Sequence, residues 1–239
     1  EGDALRHLGP LNVSPLLVPQ CIINALSGHI SILTGIKGPN LSYVSACSTG
    51  THSIGEASRM IERGDADVMI AGGADSVLTP LGLAAFSAAR ALSENNDDPA
   101  RASRPWDRDR DGFVLSNGAG ALVLESLSHA LRRGAPILAE VLGYATTSDA
   151  HHVTMPSIGG EGAARCMAAA LVDAGIGPED VDAINAHATA TRAGDIAEAQ
   201  ALAAVFGERL PKIAVSATKS MTGHLIGAAG AVEAAFTVL

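Results

Sequence analysis

The hydrophobic pattern of the chain switches repeatedly between short β-branched runs and longer stretches of helical spacing. The short runs predict strands at Leu41–Ala46, Val68–Gly72, Gly112–Glu125 (two strands), Ile137–Ala145, Ala183–His187 and Ile213–Ala217. The longer stretches predict helices at Pro19–Leu33, Thr51–Arg63, Pro80–Ala88, Ser128–Arg133, Gly162–Ala174, Asp195–Phe206 and Leu225–Leu239. Strands alternating with helices over such lengths predict an α/β fold, a mixed or parallel sheet covered by helices on both faces. Ser93–Asp111 contains Asn95-Asn96-Asp97-Asp98-Pro99 and reads as an exposed loop. A faint internal repeat relates Val44-Ser45-Ala46, followed by His52, Ile54 and Gly55, to Val215-Ser216-Ala217, followed by His224, Ile226 and Gly227. Such a repeat implies two duplicated halves, each presenting a strand, a turn and a helix to a shared cleft.

Composition narrows this picture. With 239 residues and 47% apolar content the chain can bury a sizeable core. No run reaches the roughly 18–20 apolar residues of a membrane span, and Glu233 interrupts the best candidate, Leu225–Leu239. A net charge of −9 disfavours nucleic acid and anionic membrane surfaces as partners. Cys21, Cys47 and Cys166 are scattered, which suggests free thiols in a reducing compartment and argues against a zinc site. Glu1 opens the chain without a basic start or apolar stretch, so no signal peptide is expected. The chain lacks an initiator Met and stops inside an apolar helical pattern, so both ends look cut and a fragment of a longer protein is expected.

Three segments carry chemistry. Cys47 lies between a β-rich run and a glycine-punctuated helix in Ser45-Ala46-Cys47-Ser48-Thr49-Gly50-Thr51-His52. A helix N-terminus there stabilises a thiolate and lowers its pKa. His187 and His224 each follow an apolar strand, and two neutral imidazoles can donate to one developing oxyanion. Together they suggest a thiol that carries an acyl group and two imidazoles that serve a carbonyl oxygen. Lys219 and Glu233 flank His224, and an ion pair between them would fix its position and tautomer. Asp195 reads as the N-cap of its helix. Thr189 and Thr191 alternate with alanines, so their hydroxyls share one side if the segment is extended, where they could bond an amide of a pantetheine-like arm. Cys21 and Cys166 read as structural thiols. His7, His29, His52, His129, His151 and His152 read as ordinary core or surface residues.

Val44 to Gly55 around the cysteine resembles the nucleophile motif of type II β-ketoacyl-[acyl-carrier-protein] synthases. Asn185 to Asp195 resembles their first histidine motif, and Thr218 to Gly230 their lysine–histidine motif. Gly64 to Gly73, Ser103-Arg104-Pro105-Trp106-Asp107 and Asp111-Gly112-Phe113-Val114 also look like that family, in the same order. The resemblance implies a thiolase-like α/β fold of two duplicated halves, with layered helices and mixed five-stranded sheets, here partial. Residues 1–126 would end the first half and 127–239 would form most of the second. It implies decarboxylative Claisen condensation, with Cys47, His187, His224 and Lys219 as catalytic residues and no cofactor or metal. Thr189, Thr191 and Phe86 would contact substrate, with Glu233 and Asp195 in support.

The implied partners are an acyl carrier protein bearing acyl or malonyl phosphopantetheine and a second copy of the chain, paired through Leu41–Ala46. The implied compartment is the bacterial cytoplasm, with the mitochondrial matrix as alternative. The sequence departs from the family pattern at Ala188, Arg192 and Ser116-Asn117. It departs also at Leu11-Asn12, where a basic pair that helps dock the carrier is usual, which leaves Arg90 as a candidate contact. Three alternatives remain. A polyketide ketosynthase shares the Cys-His-His trio, a non-catalytic partner subunit would have lost Cys47, and a thiolase would use a second cysteine near its C-terminus.

Overall fold

The structure, a computed structural model, describes residues 2–239. The chain divides after Val44 into two compact units. The first holds helices α1 (Gly2–Leu8), α2 (Leu17–Cys21) and α3 (Ala25–Thr34). The single helix predicted over Pro19–Leu33 is therefore two. Ile22 leaves helical geometry at φ −69°, ψ 138°, because the extended region suits a β-branched residue, and α3 restarts after Asn24. Gly35 ends α3 in the left-handed conformation and donates its N–H to Ser31 O. None of the three helices buries a residue. The predicted strand Leu41–Ala46 does not form. A β pattern becomes a strand only where another strand supplies its hydrogen bonds.

The second unit contains α4 (Thr49–Glu62), β1 (Val68–Asp75), α5 (Pro80–Ala88), β2 (Gly118–Glu125) and α6 (Leu127–Arg133). It continues with α7 (Glu161–Ala174), β3 (Ala183–Asn185), α8 (Arg192–Phe206), β4 (Ala214–Ser216), α9 (Lys219–Thr222) and α10 (Ala229–Val238). Two two-stranded sheets are present among the described residues. β1 and β2 run antiparallel from Val68↔Glu125 to Asp75↔Gly118, and β3 and β4 run parallel with Ile184 opposite Val215. Helices α4 and α10 pack on the first sheet. Two close approaches need glycine. A Cβ on Gly50 of α4 would lie 2.6 Å from Ala231 N of α10, and one on Gly73 of β1 would lie 2.4 Å from Gly227 O. These contacts draw the start of α4, β1 and the turn after His224 together. Beside the second sheet, Leu202, Phe206 and Ile213 form a core with Met167, Leu171, Ile184 and Val215 around them.

Two more expectations are corrected. Gly112–Glu125 yields one strand, preceded by single bridges Leu92↔Phe113 and Leu115↔His224. His224 N–H donates to Val114 O at 2.7 Å, and Ser116 N–H to His224 O at 3.0 Å, so this backbone pairs with the histidine segment. Ile137–Ala145 forms no strand. Its Tyr144 N–H is taken by the Asp173 carboxylate at 2.8 Å, and Gly143 is pressed against Ala170 and Ala174 of α7. Among the described residues, no helix is long and apolar enough to cross a membrane.

Candidate active site

Cys47 sits in a 3₁₀ turn, Ala46–Ser48, just before α4. Ala46 adopts φ 53°, a conformation costly for a residue with a Cβ. Several side chains hold this elbow. Thr49 Oγ1 accepts from Ser45 N–H at 3.0 Å and donates to Ala46 O at 2.8 Å. Ser48 Oγ donates to Ser45 O at 2.9 Å, and Ser45 Oγ shares a 2.5 Å hydrogen bond with His52 Nδ1. His52, expected to be an ordinary histidine, thus braces the turn that presents the thiol.

The expected lowering of the thiol pKa is not found. Burial pushes the Cys47 thiol up, and the Lys219 charge and the backbone N–H of Cys47 offset this only in part. The helix N-terminus is in place, and desolvation of the thiolate is the largest influence on the thiol.

His224 is 1% exposed, and its Nε2 lies 2.9 Å from Cys47 Sγ. Its Nδ1 accepts the Ile226 N–H at 3.3 Å. A nitrogen that accepts has no proton, so in the neutral ring the proton is on Nε2, facing the sulfur. The ring stays neutral because burial pushes its pKa down to about 3, with His187 and Lys219 adding to the effect. The tautomer is therefore set by a backbone N–H, where the Lys219–Glu233 pair was expected to set it. The His187 ring stands 5.4 Å from the His224 ring at 85°. Its pKa is also lowered, by crowding first and by Lys219 second. His187 as a residue is exposed, so the crowding acts on its ring from the His224 side.

The donor atoms of Cys47, His187 and His224 all lie within 4.8 Å of one another. The scatter along the chain that argued against a zinc site is thus not kept in space. A different obstacle stands there, since His224 Nε2 carries the proton and has no lone pair for an ion while the Ile226 bond is kept.

Behind the trio, Lys219, 2% exposed, pairs with Glu233. Burial raises the Glu233 carboxyl, and Lys219 pulls it back. Thr189 Oγ1 and Thr191 Oγ1 are 3.0 Å apart, so the two hydroxyls do share one side. The segment is not extended, however, since Ala188 and Ala190 have φ of 30° and 65°. Asp195 is not the cap of α8. The helix starts at Arg192 with Thr191 in the cap position, and Asp195 lies in its first turn. Its buried carboxylate accepts Ala190 N–H at 3.0 Å and Trp106 N–H at 2.7 Å. Phe86 stands further off, edge-on to Phe113 at 5.7 Å, and Phe113 in turn meets the His224 ring at 5.0 Å.

Sequence reasoning missed Glu198, whose carboxylate accepts both His187 N–H and Ala188 N–H at 2.7 Å. Its place on α8, eleven residues after His187, was the available signal. The expectation of a solvated Ser93–Asp111 loop also fails in its second half. Ser103 Oγ donates to Lys219 O at 2.6 Å, and Arg110 forms an ion pair with Asp195 at 3.3 Å.

The turn before α4 thus presents a thiol with two imidazole rings gathered beside it, in an α/β frame. Residues 2–130 match the family described as "Beta-ketoacyl synthase, N-terminal domain", and residues 138–239 match "Beta-ketoacyl synthase, C-terminal domain". The chain belongs to the beta-ketoacyl synthase family. It is 54% identical over 238 residues to the 3-oxoacyl-[acyl-carrier-protein] synthase 2 of Vibrio cholerae, covering 99% of this chain and 58% of that protein. The protein of the same name from Coxiella burnetii is 54% identical over 237 residues, covering 99% and 57%.

Solved structures agree in fold. A beta-ketoacyl synthase from Burkholderia phymatum matches with TM-score 0.92 at 38% identity, over 99% of this chain and 57% of that one. A type II PKS ketosynthase in complex with its acyl-carrier protein matches with TM-score 0.93 at 35% identity, over 98% and 60%. The fold is thus the thiolase-like α/β fold of ketosynthases, present in part. The chain spans somewhat over half the length of these relatives, 58% of the first.

Proposed function

We propose that the chain carries the reacting residues of a 3-oxoacyl-[acyl-carrier-protein] synthase, which elongates an acyl chain by decarboxylative condensation with a malonyl group. The observation that carries this reading is the convergence of Cys47, His187 and His224 within 4.8 Å. Cys47 Sγ attacks the thioester carbonyl of an acyl carrier. The new S–C bond forms as the carrier thiol leaves with the thiol proton. A malonyl carrier then enters and loses carbon dioxide. The electron pair moves onto its thioester oxygen, which the imidazole N–H groups of His187 and His224 stabilise. The enolate carbon attacks the Cys47 thioester, the C–S bond breaks, and a 3-oxoacyl carrier leaves.

Burial first, with the charge of Lys219, the partner of Glu233, adding to it, holds both rings against a second proton, so they serve as neutral donors. In this reading Thr189 and Thr191 bond the pantetheine arm, Asp195 supports their loop, and Phe86 lines the acyl pocket. The halves divide as residues 1–126 and 127–239, a second copy pairs through Leu41–Ala46, and exposed Arg90 contacts the acidic carrier. The bacterial sources of the relatives point to a bacterial cytoplasm. A polyketide ketosynthase is the second reading, supported by the PKS neighbour in fold. The higher identity to the fatty-acyl-type relatives favours the first. The presence of Cys47 speaks against a non-catalytic subunit.

The test is to incubate the full-length protein with acyl carrier, digest it, and map the acylated peptide by mass spectrometry. Acylation at Cys47 is expected. Acylation at Cys21 or Cys166, or transfer retained in Cys47→Ala, overturns the reading.

A further inference from the structure

The segment Ser103–Arg110 is held in a costly form. Trp106 has φ 59°, and its indole Nε1 is buried without a hydrogen-bond partner. Facing it, Ala188 and Ala190 also take positive φ, at 30° and 65°. Non-glycine residues in this region persist only where their surroundings over-determine them. Much of that determination passes through Arg110. Its Nη1 donates to Asp107 O at 2.8 Å, closing the segment on itself. Its Nε donates to Thr191 O at 3.3 Å, and its Nη2 to Arg192 O at 2.8 Å. The same guanidinium lies 3.3 Å from the Asp195 carboxylate, whose oxygens hold Trp106 N–H and Ala190 N–H. Its side chain is 12% exposed, so these bonds are largely shielded from water.

We propose that Arg110 is a positioning residue that sets the Thr189–Thr191 hydroxyl pair and so determines how tightly the pantetheine arm of the substrate is gripped. The planar fork reaches three carbonyls and a carboxylate at once, which an ammonium cannot do. One side chain thereby locks the backbone on both sides of Thr191 to the Ser103–Arg110 segment. Arg110 touches neither Cys47 nor the histidines through any of these bonds, so its effect falls on binding ahead of the chemical steps. The inference rests on the substrate reading given under Proposed function.

Arg110→Lys and Arg110→Ala are made in the full-length protein and assayed with two substrates. One is a malonyl thioester of pantetheine, the other a short malonyl alkyl thioester without amides. The wild type should prefer the pantetheine ester, and if it shows no preference the arm-binding role of the threonines fails first. Given that preference, Arg110→Lys is expected to keep Tm near that of the wild type. It should raise KM for the pantetheine ester about tenfold, the equivalent of one lost hydrogen bond, with kcat little changed. Its KM for the alkyl ester should not move. Arg110→Ala should add a loss of Tm from the unpaired Asp195. The effect of Arg110→Lys should also be largely absent in a Thr189→Val, Thr191→Val background. Equal losses on both esters, or an unchanged KM for the pantetheine ester in both Arg110 variants, would overturn the proposal.

Discussion

At Cys47 two effects oppose each other. The start of α4 favours a thiolate, while burial of the sulfur, the largest influence on it, favours the thiol. The thiol pKa is raised, so the thiolate fraction keeps growing as pH rises past 9, the ordinary value for this thiol. Alkylation of Cys47 by iodoacetamide should therefore accelerate steadily from pH 7 through pH 9, followed by peptide mass spectrometry. A plateau near neutral pH would mean the helix terminus dominates. The histidines make a second, separable prediction. His224 offers its Nε2–H to the region of the sulfur, and its Nδ1 is occupied, so in this tautomer it donates and does not take a proton. His187→Ala and His224→Ala should each lower carbon dioxide release from malonyl carrier by about 10²–10³-fold while Cys47 still loads, if more slowly. Loss of loading with decarboxylation intact would make one histidine the base that activates Cys47.

At the scale of elements, close backbone contacts bring the three side chains into register. Gly50 lets α4 meet α10, and Gly73 lets β1 meet the turn after His224. Gly50→Ala would place a methyl 2.6 Å from a backbone nitrogen, and backbone cannot swing aside as a side chain can. The expected cost is about 1–3 kcal/mol in urea unfolding, with acyl transfer reduced in the same variant because α4 carries the nucleophile turn. An unchanged unfolding midpoint would show that α10 can retreat. Much of this level was readable beforehand: α5 was placed at its observed limits, and α4, α6 and α7 within two residues. Their spacing and caps are local properties. Thr79, for example, caps α5 by accepting Gly82 N–H at 3.0 Å. The strands Leu41–Ala46 and Ile137–Ala145 were not local matters, since a ladder needs a partner segment.

For the whole molecule, the first unit leaves large apolar side chains uncovered, among them Leu33 at 84% and Val44 at 71% exposure. Exposed apolar surface on this scale is normally covered by further protein. In the full-length protein a homodimer paired through Leu41–Ala46 would cover part of it and supply the missing ladder partner. Light scattering at micromolar concentration should give a dimer, and Val44→Lys should shift it toward monomer. A full-length wild type that stays monomeric would contradict the pairing.

The sequence by itself determined the family and pointed to the candidate reacting groups. A cysteine before a glycine-rich helix and histidines after short apolar strands are local arrangements, and Lys219 and Glu233 proved to be paired as expected. Only the tertiary structure decided their states. The raised thiol pKa depends on how much packing surrounds Cys47, and the His224 tautomer depends on Ile226 turning its N–H inward from a left-handed backbone at φ 49°. The contacts of Glu198 and most of those of Arg110 were hard to read from sequence, because their partners are largely backbone atoms, and backbone atoms are the same at every position of a sequence. What distinguishes one N–H from another is where the fold puts it.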